Sequence, residues 1–182
     1  MSSRLRGWGA AALLLAAAPL AAEIADTQLL GQLRASAPDC GRFEQSRWLA
    51  DFEMQLNSSG EFRRLPDGLL WRTTAPVLSE VALSADNPDL PLGYQAILPV
   101  FNGLLAGNLD SLDAYFSTRV SGTPAQWRAE LRPLNEQLAR QLTGLAIQGG
   151  QQLEQITVSF GDGDHLQIRL FASACGAADE EP

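Results

Sequence analysis

From residue 41 onward the chain reads as short alternating or apolar runs punctuated by turn residues. That is the pattern of antiparallel hairpins, not of βαβ units. RFEQSRWL (42–49) and DFEMQL (51–56) read as strands, Asn57-Ser58-Ser59-Gly60 as a turn, and EFRRL (61–65) as a further strand. Pro66-Asp67-Gly68 supplies a tight connection to LLWRTT (69–74), and VLSEVALS (77–84) follows after Pro76. A second set comprises STRVSG (117–122), QWRAELRP (126–133), TGLAIQ (143–148), LEQITVSF (153–160) and HLQIRLFA (165–172). Gly149-Gly150 and Gly161-Asp162-Gly163-Asp164 occupy hairpin positions. The expected fold is mainly β with some α, built on an open or curled antiparallel sheet.

Two regions carry the helical period instead. Residues 24–35 place Ile24, Leu29, Leu30 and Leu33 on one stripe. Between the two sets of strands, a Pro-rich link (86–93) leads into Tyr94, Ile97, Leu98, Phe101, Leu104 and Leu105, spaced i, i+3, i+4, i+7, i+10, i+11. A further short helix is expected at 111–116. Pro99 predicts a kink in the insert. Gly103 and Gly107 soften it by about 1 kcal/mol each. Such an insert can cover the apolar face of a sheet, and ordinary core packing is the plainer role for it. The chain has four Trp and seven Phe, several on strands facing one side, which is enough to line a cavity.

The beginning of the chain reads as a targeting segment. Arg4 and Arg6 precede the uncharged stretch Ala10 to Leu20, too short to cross a hydrocarbon core of roughly 30 Å as a helix. Cleavage after Ala22 is expected, leaving 160 residues as one domain (23–176) and an acidic, disordered tail (177–182). The formal charge of -8 becomes -10 without Arg4 and Arg6. This acidity argues against nucleic-acid binding, which needs cations to neutralise phosphates, and against anionic membrane surfaces.

Reactive groups are scarce. All 13 basic residues are Arg, which removes Lys-based chemistries, and one His with two Cys cannot build a conventional zinc site unless carboxylates or another chain contribute. Ser159, Asp162, Asp164 and His165 lie close in sequence, but the acids sit where a Gly-Asp-Gly turn favours Asp for backbone reasons, and no G-x-S-x-G is present. The turn also lacks the length and closing Glu of a calcium loop. No catalytic residue, metal or cofactor is expected. Cys40 and Cys175, an even count in an exported chain, are expected to pair. A redox pair would need a close C-x-x-C spacing, which is not there.

One ensemble of motifs resembles a known family. Phe43-Glu44-Gln45, then Gly60-Glu61-Phe62, then Trp71-Arg72-Thr73-Thr74-Ala75-Pro76 and a hydrophobic strand, resemble the periplasmic outer-membrane lipoprotein carriers, the LolA-like family. Trp127 with Leu131-Arg132-Pro133 is similar to a strand end of that family, and Leu153 to Leu170 to its closing hairpin. The likeness covers most of 41–172 in order and spacing and is weak motif by motif. It implies an unclosed antiparallel β-barrel with helices as a lid, enclosing a hydrophobic cavity for acyl chains. In the carriers an Arg that helps control the lid directly precedes the hairpin Pro. Here Leu65 stands before Pro66, with Arg64 one position earlier and on the opposite face of a regular strand. The sequence looks like a divergent branch, whose cargo need not be a triacylated lipoprotein.

Strand alternation selects the side chains such a cavity would use. Phe62, Leu69, Trp71, Val77, Val81 and Leu83 are expected on the sheet, with Ile97, Leu98, Phe101, Leu104 and Leu105 on the underside of the lid. Arg64 or Arg47 would meet a headgroup or hold the lid, although a structural ion pair is the commoner role for any one Arg. The resemblance implies a monomeric periplasmic carrier moving a lipoprotein or other acylated cargo from an inner-membrane exporter to an outer-membrane acceptor. The other reading is a periplasmic interaction or sensor module on the same fold.

Overall fold

The computed structural model describes residues 28, 29, 31, 32, 38–84, 87, 103 and 112–175. The described strands are β1 (Cys40–Leu49), β2 (Met54–Leu65), β3 (Gly68–Ala75), β4 (Ser79–Ser84), β5 (Phe116–Thr123), β6 (Gln126–Pro133), β7 (Leu142–Gly149), β8 (Leu153–Phe160) and β9 (His165–Ala172), with a short helix α1 (Glu136–Gln141) between β6 and β7. They form one antiparallel sheet in the order β4-β3-β2-β1-β9-β8-β7-β6-β5. The first hairpins therefore run outward from β1 in one direction and the later ones from β9 in the other. The sheet does not close on itself, so the fold is an unclosed β-barrel. Its two edge strands, β4 and β5, are consecutive among the described strands.

Strict alternation builds the inner face. On β6 and β9 every second residue is buried: Trp127, Ala129 and Leu131, then Leu166, Ile168 and Leu170. The intervening Arg128, Glu130, Gln167 and Arg169 point outward, as expected for a sheet with one dry face. Leu29, from the helical residues near the start, and Leu112 are buried in the same core. The Gln32 side-chain amide donates to the Pro124 carbonyl at 3.0 Å and also to that of Gly150, fastening the helical segment to two turns. Trp127 Nε1 donates to Gly150 as well, at 2.8 Å.

Two rims follow from this topology. The upper rim carries the β2–β3, β5–β6 and β7–β8 turns; the lower rim carries the β1–β2, β3–β4 and β8–β9 turns, α1, and the start of β5. Cys40 and Cys175 are bridged, with a Cα–Cα distance of 5.1 Å, which ties the first residue of β1 to the segment just after β9.

Several sequence expectations need correction. Asn57-Ser58-Ser59-Gly60 is not a turn: all four residues lie inside the twelve-residue strand β2, and the hairpin is made by a 3-10 turn at Ala50–Phe52. Continuous pairing with Ser46, Gln45, Glu44 and Phe43 overrides their turn preference, and a bulge against β3 at Ser59/Gly60 absorbs the irregularity. The strand after Pro76 begins at Ser79, not Val77. Residues 112–115 form a turn, and Phe116 already belongs to β5. The helix α1 had no sequence expectation; Asn135 caps it, its side chain accepting from the Leu138 amide at 2.7 Å.

Candidate functional site

The inner face of β1–β4 gathers most of the expected apolar residues. Register places Phe62 opposite Trp71, Trp71 opposite Val81, and Leu69 opposite Leu83. Phe62, Leu69, Trp71 and Leu83 are buried, and Val81 packs against them while partly exposed. Phe43, absent from the expected set, lies at the centre. Its ring stacks on Trp71 at 3.8 Å between centroids and 22° between planes, and Phe62 lies 6.2 Å from the same indole. Stacked pairs of this kind add about 0.5–1.5 kcal/mol beyond the area they bury.

Glycine makes the aromatic layer possible. Gly60 pairs with Phe43 and Gly41 with Phe62. A Cβ on Gly60 would strike the Arg72 carbonyl oxygen and sit 2.8 Å from the Phe43 ring, and one on Gly41 would collide with the ring of Phe62. Each ring lies flat over the backbone of the strand beside it. The Phe43 and Gly60-Glu61-Phe62 motifs are thus two halves of one packing device.

Toward the lower rim the same face changes character. Gln45 and Ser58 face each other, Thr73 pairs with Ser79, and beyond them Leu56 and Met54 stand 49% and 46% exposed. Leu56 and Met54 were not among the expected residues. They extend the apolar face into solvent where β2 runs on past its pairing with β3. Val77 is not with the others: it sits 70% exposed in the β3–β4 turn, because that turn takes the first two residues of the apolar run after Pro76. Ile97, Leu98, Phe101, Leu104 and Leu105 lie outside the described residues.

Arg64 and Arg47 both belong to the inner face, at opposite ends. Arg64 stands opposite Leu69 near the upper rim, where its guanidinium donates to the Pro38 carbonyl at 3.3 Å and lies 3.6 Å from the Asp39 carboxylate. Arg47 lies opposite Leu56 and pairs with Asp164 at 2.9 Å, its guanidinium 5.7 Å from the centroid of the Phe160 ring. The Asp164 carboxylate also accepts the Ala50 amide at 2.9 Å. That backbone bond, followed by the Arg47 bond, holds its pKa below the ordinary carboxylate value against the opposing effect of burial. Asp162, Asp164 and His165 therefore build a turn that grips the β1–β2 connection. Asp162 accepts the Asp164 amide at 3.0 Å, and both carboxylates are committed to the backbone.

The outer face is polar. A cleft of about 890 Å³ there is lined mainly by amide, hydroxyl and charged side chains, among them Glu44, Ser46, Gln55, Asn57 and Gln167. Arg169 and Glu44 form an ion pair across it. Such walls suit water or hydroxyl groups, not acyl chains. Among the described residues no helix is long and apolar enough to cross a membrane, and no group of three or more His, Cys, Asp or Glu is disposed to hold a metal.

No curated protein matches the chain. The family model for outer membrane lipoprotein carrier protein LolA-like matches residues 16–181. With an unclosed barrel, a dry aromatic inner face and a match over nearly its whole length, the chain belongs to the LolA-like outer membrane lipoprotein carrier family.

Proposed function

We propose that this protein is a periplasmic carrier that shields the acyl chains of a lipoprotein or other lipid against the inner face of β1–β4 while the cargo crosses between the inner and outer membranes. The observation that carries this reading is the run of apolar side chains on one face, buried as Phe43, Phe62, Trp71 and Leu83 at one end and open as Leu56 and Met54 at the other. Each methylene withdrawn from water contributes about 0.8 kcal/mol. An acyl chain thus requires an extended apolar contact surface, and a carrier that releases cargo without chemistry must also keep part of that surface accessible. The work needs no catalytic residue.

In this reading residues 1–22 direct export, 23–176 form the carrier domain and 177–182 are a tail. The chain joining β4 to β5, with Ile97, Leu98, Phe101, Leu104 and Leu105, closes over the cargo. An inner-membrane exporter supplies the lipid and an outer-membrane acceptor receives it.

The test is direct. Protein purified from the periplasm of the cell that makes it is extracted with organic solvent and its lipid quantified by mass spectrometry. Wild type should carry close to one lipid per chain. Val81→Glu and Leu56→Glu, which place a carboxylate among exposed or half-buried positions, should lower that at least tenfold with unchanged circular dichroism. Lipid absent from wild type, or unchanged in both variants, would sink the carrier reading and leave an interaction module on the same fold.

A further inference from the structure

The outer face of the sheet is polar in two different ways. Across β1–β4 it is stitched by opposite charges in register: Arg42 stands opposite Glu61, Glu61 opposite Arg72, and Arg72 opposite Glu80. Arg119 and Glu130 repeat the pairing on β5 and β6. Such cross-strand pairs are an ordinary way to keep a sheet face in water. Over the outer cleft the charges give way. Of the twelve described residues that line it, five are amides, Gln45, Gln55, Asn57, Gln155 and Gln167, a share far above the 18 Gln and Asn in the chain's 182 residues. Three more are serines. Only Glu44 and Arg169 among them are charged, and these neutralise each other as an ion pair.

Strand pairing joins these groups into one surface. Ser46 lies opposite Asn57 on one side and Gln167 on the other, and Gln167 lies opposite Thr157. The Gln55 side chain donates to that of Asn57 at 2.9 Å, which orients both amides and leaves an oxygen on one and an amino group on the other. Trp48 ends the row. By alternation it shares the outer face with Glu44 and Ser46, it pairs with Gln55, and it stays 38% exposed. An amide both donates and accepts, as a hydroxyl does, so walls rich in amides match a ligand dense in hydroxyls. An exposed indole offers a flat apolar face to the C–H side of a sugar ring. Walls without net charge give no preference for a phosphate or a carboxylate. The volume of about 890 Å³ falls within the range of small-ligand sites.

We infer that this cleft binds an uncharged, hydroxyl-rich saccharide, held by Gln55, Asn57 and Gln167 with one ring on Trp48. The inference goes beyond the carrier reading and does not depend on it. Two sources share that chemistry, a free glycan and the sugar head of a lipid. A lipid head has a route to the cleft. Ala75, the last residue of β3, and Pro76 line it where β2 runs on past its pairing with β3. There Met54 and Leu56 alternate with Gln55 and Asn57 along β2, so apolar side chains face inward and amides outward on one strand. Acyl chains on the inner face and a sugar in the cleft would meet across that edge.

Purified protein is applied to an array of uncharged oligosaccharides in free and acyl-linked form, and the best binder is titrated by calorimetry. Wild type should bind, with an affinity unchanged between about 0.05 and 0.5 M salt. Trp48→Ala and Gln167→Ala, both at exposed positions, should each weaken binding at least about tenfold. Phe171→Ala removes an exposed aromatic on the same face outside the cleft and should bind like wild type. An array without a bound saccharide, binding that both cleft variants leave unchanged, an equal loss in Phe171→Ala, or affinity that falls with salt would each overturn the site. Lipid extracted from the same protein is hydrolysed and its sugars are identified. Sugar on the lipid, with acyl-linked forms bound more tightly, supports the site and assigns it to a cargo head; a sugar-free extract, with free and linked forms bound alike, supports it and assigns it to a free glycan. A wild type empty of lipid that still binds saccharide defeats the carrier reading alone, and a lipid-loaded wild type that binds no saccharide defeats the site alone.

Discussion

Strands β5–β9 and strands β1–β4 share one sheet yet treat their inner faces differently. Across β6–β9 the inner positions are almost all aliphatic and closed to solvent: Ala129, Ile147, Ile156, Val158 and Ile168 are among the most deeply buried residues. On β1–β4 the buried part is three aromatic rings, Phe43, Phe62 and Trp71, with Leu69 and Leu83, confined to the upper half and followed by Gln45, Ser58, Thr73 and Ser79 and then by exposed Leu56 and Met54. Apolar area left in water forgoes about 25 cal/mol per Å². Strands β5–β9 therefore read as a scaffold optimised for its own packing, and β1–β4 as a surface that gives up stability to stay available.

The bridge between Cys40 and Cys175 lies where the halves meet, and breaking it has the largest expected effect. Its loop spans 135 positions, for which chain entropy gives about 4–5 kcal/mol before any native strain is subtracted. Cys40→Ser combined with Cys175→Ser should lower the urea midpoint accordingly, still in one cooperative transition. Two separate transitions would mean that the halves are independent units joined by the bridge. Denatured wild type should show no reactive thiol.

Ile156→Ala comes next. Its side chain faces Ile147 and Ile168 in the closed half, so about 2–4 kcal/mol should be lost to the missing contacts and the cavity left behind. Lipid per folded molecule should be unchanged. A variant that keeps its stability but loses lipid would move the cargo surface into the half assigned here to scaffold.

Acid tests a junction between the halves on the lower rim. Asp164, in the β8–β9 turn, holds Arg47 and the Ala50 amide of the β1–β2 hairpin. Its pKa is lowered in the folded state, so the stability it contributes is fully present above the unfolded carboxylate value near about 4 and is lost as pH falls through the folded value. Asp164→Asn should be less stable than wild type at pH 6, and the gap should hold down to about pH 5 and narrow as the pH falls below about 4. A gap that stays constant well below about pH 4 would show that the charge on Asp164 does not hold the rim.

The same contrast governs what the sequence made legible. The strands β6 and β9 could be read to the residue because strict alternation at 126–133 and 165–172 mirrors a dry face, and β8 at 153–160 alternates from Ile156 onward, after a bulge near Leu153. In the other half, Asn57-Ser58-Ser59-Gly60 carries every local mark of a turn, and only pairing with β1 makes it strand. A side chain at Gly60 would strike the Arg72 carbonyl of β3 and the ring of Phe43 on β1, reasons that lie in neighbouring strands. Phe62, Leu69, Trp71, Val81 and Leu83 were legible as one face, whereas Phe43 needed the sheet order to bring it over Trp71. The helix α1 is too short to show a period, and Asn135 was its one signal. The outer cleft was not legible at all: Ser46, Asn57, Gln155 and Gln167 are scattered along the chain, and strand register alone collects them.

The smallest expected effect gives the finest test. Leu56 and Leu166 stand in the same layer of the sheet, on either side of Arg47, one in each half. Leu166 is buried and Leu56 half exposed. Leu166→Ala should cost about 2–3 kcal/mol, while Leu56→Ala should fall within about 0.5 kcal/mol of wild type. The order should reverse for lipid content, which Leu56→Ala lowers and Leu166→Ala spares in the folded fraction. Comparable stability losses at the two positions would mean that Leu56 is packed in solution, and that the open half of the sheet is as much core as the closed one.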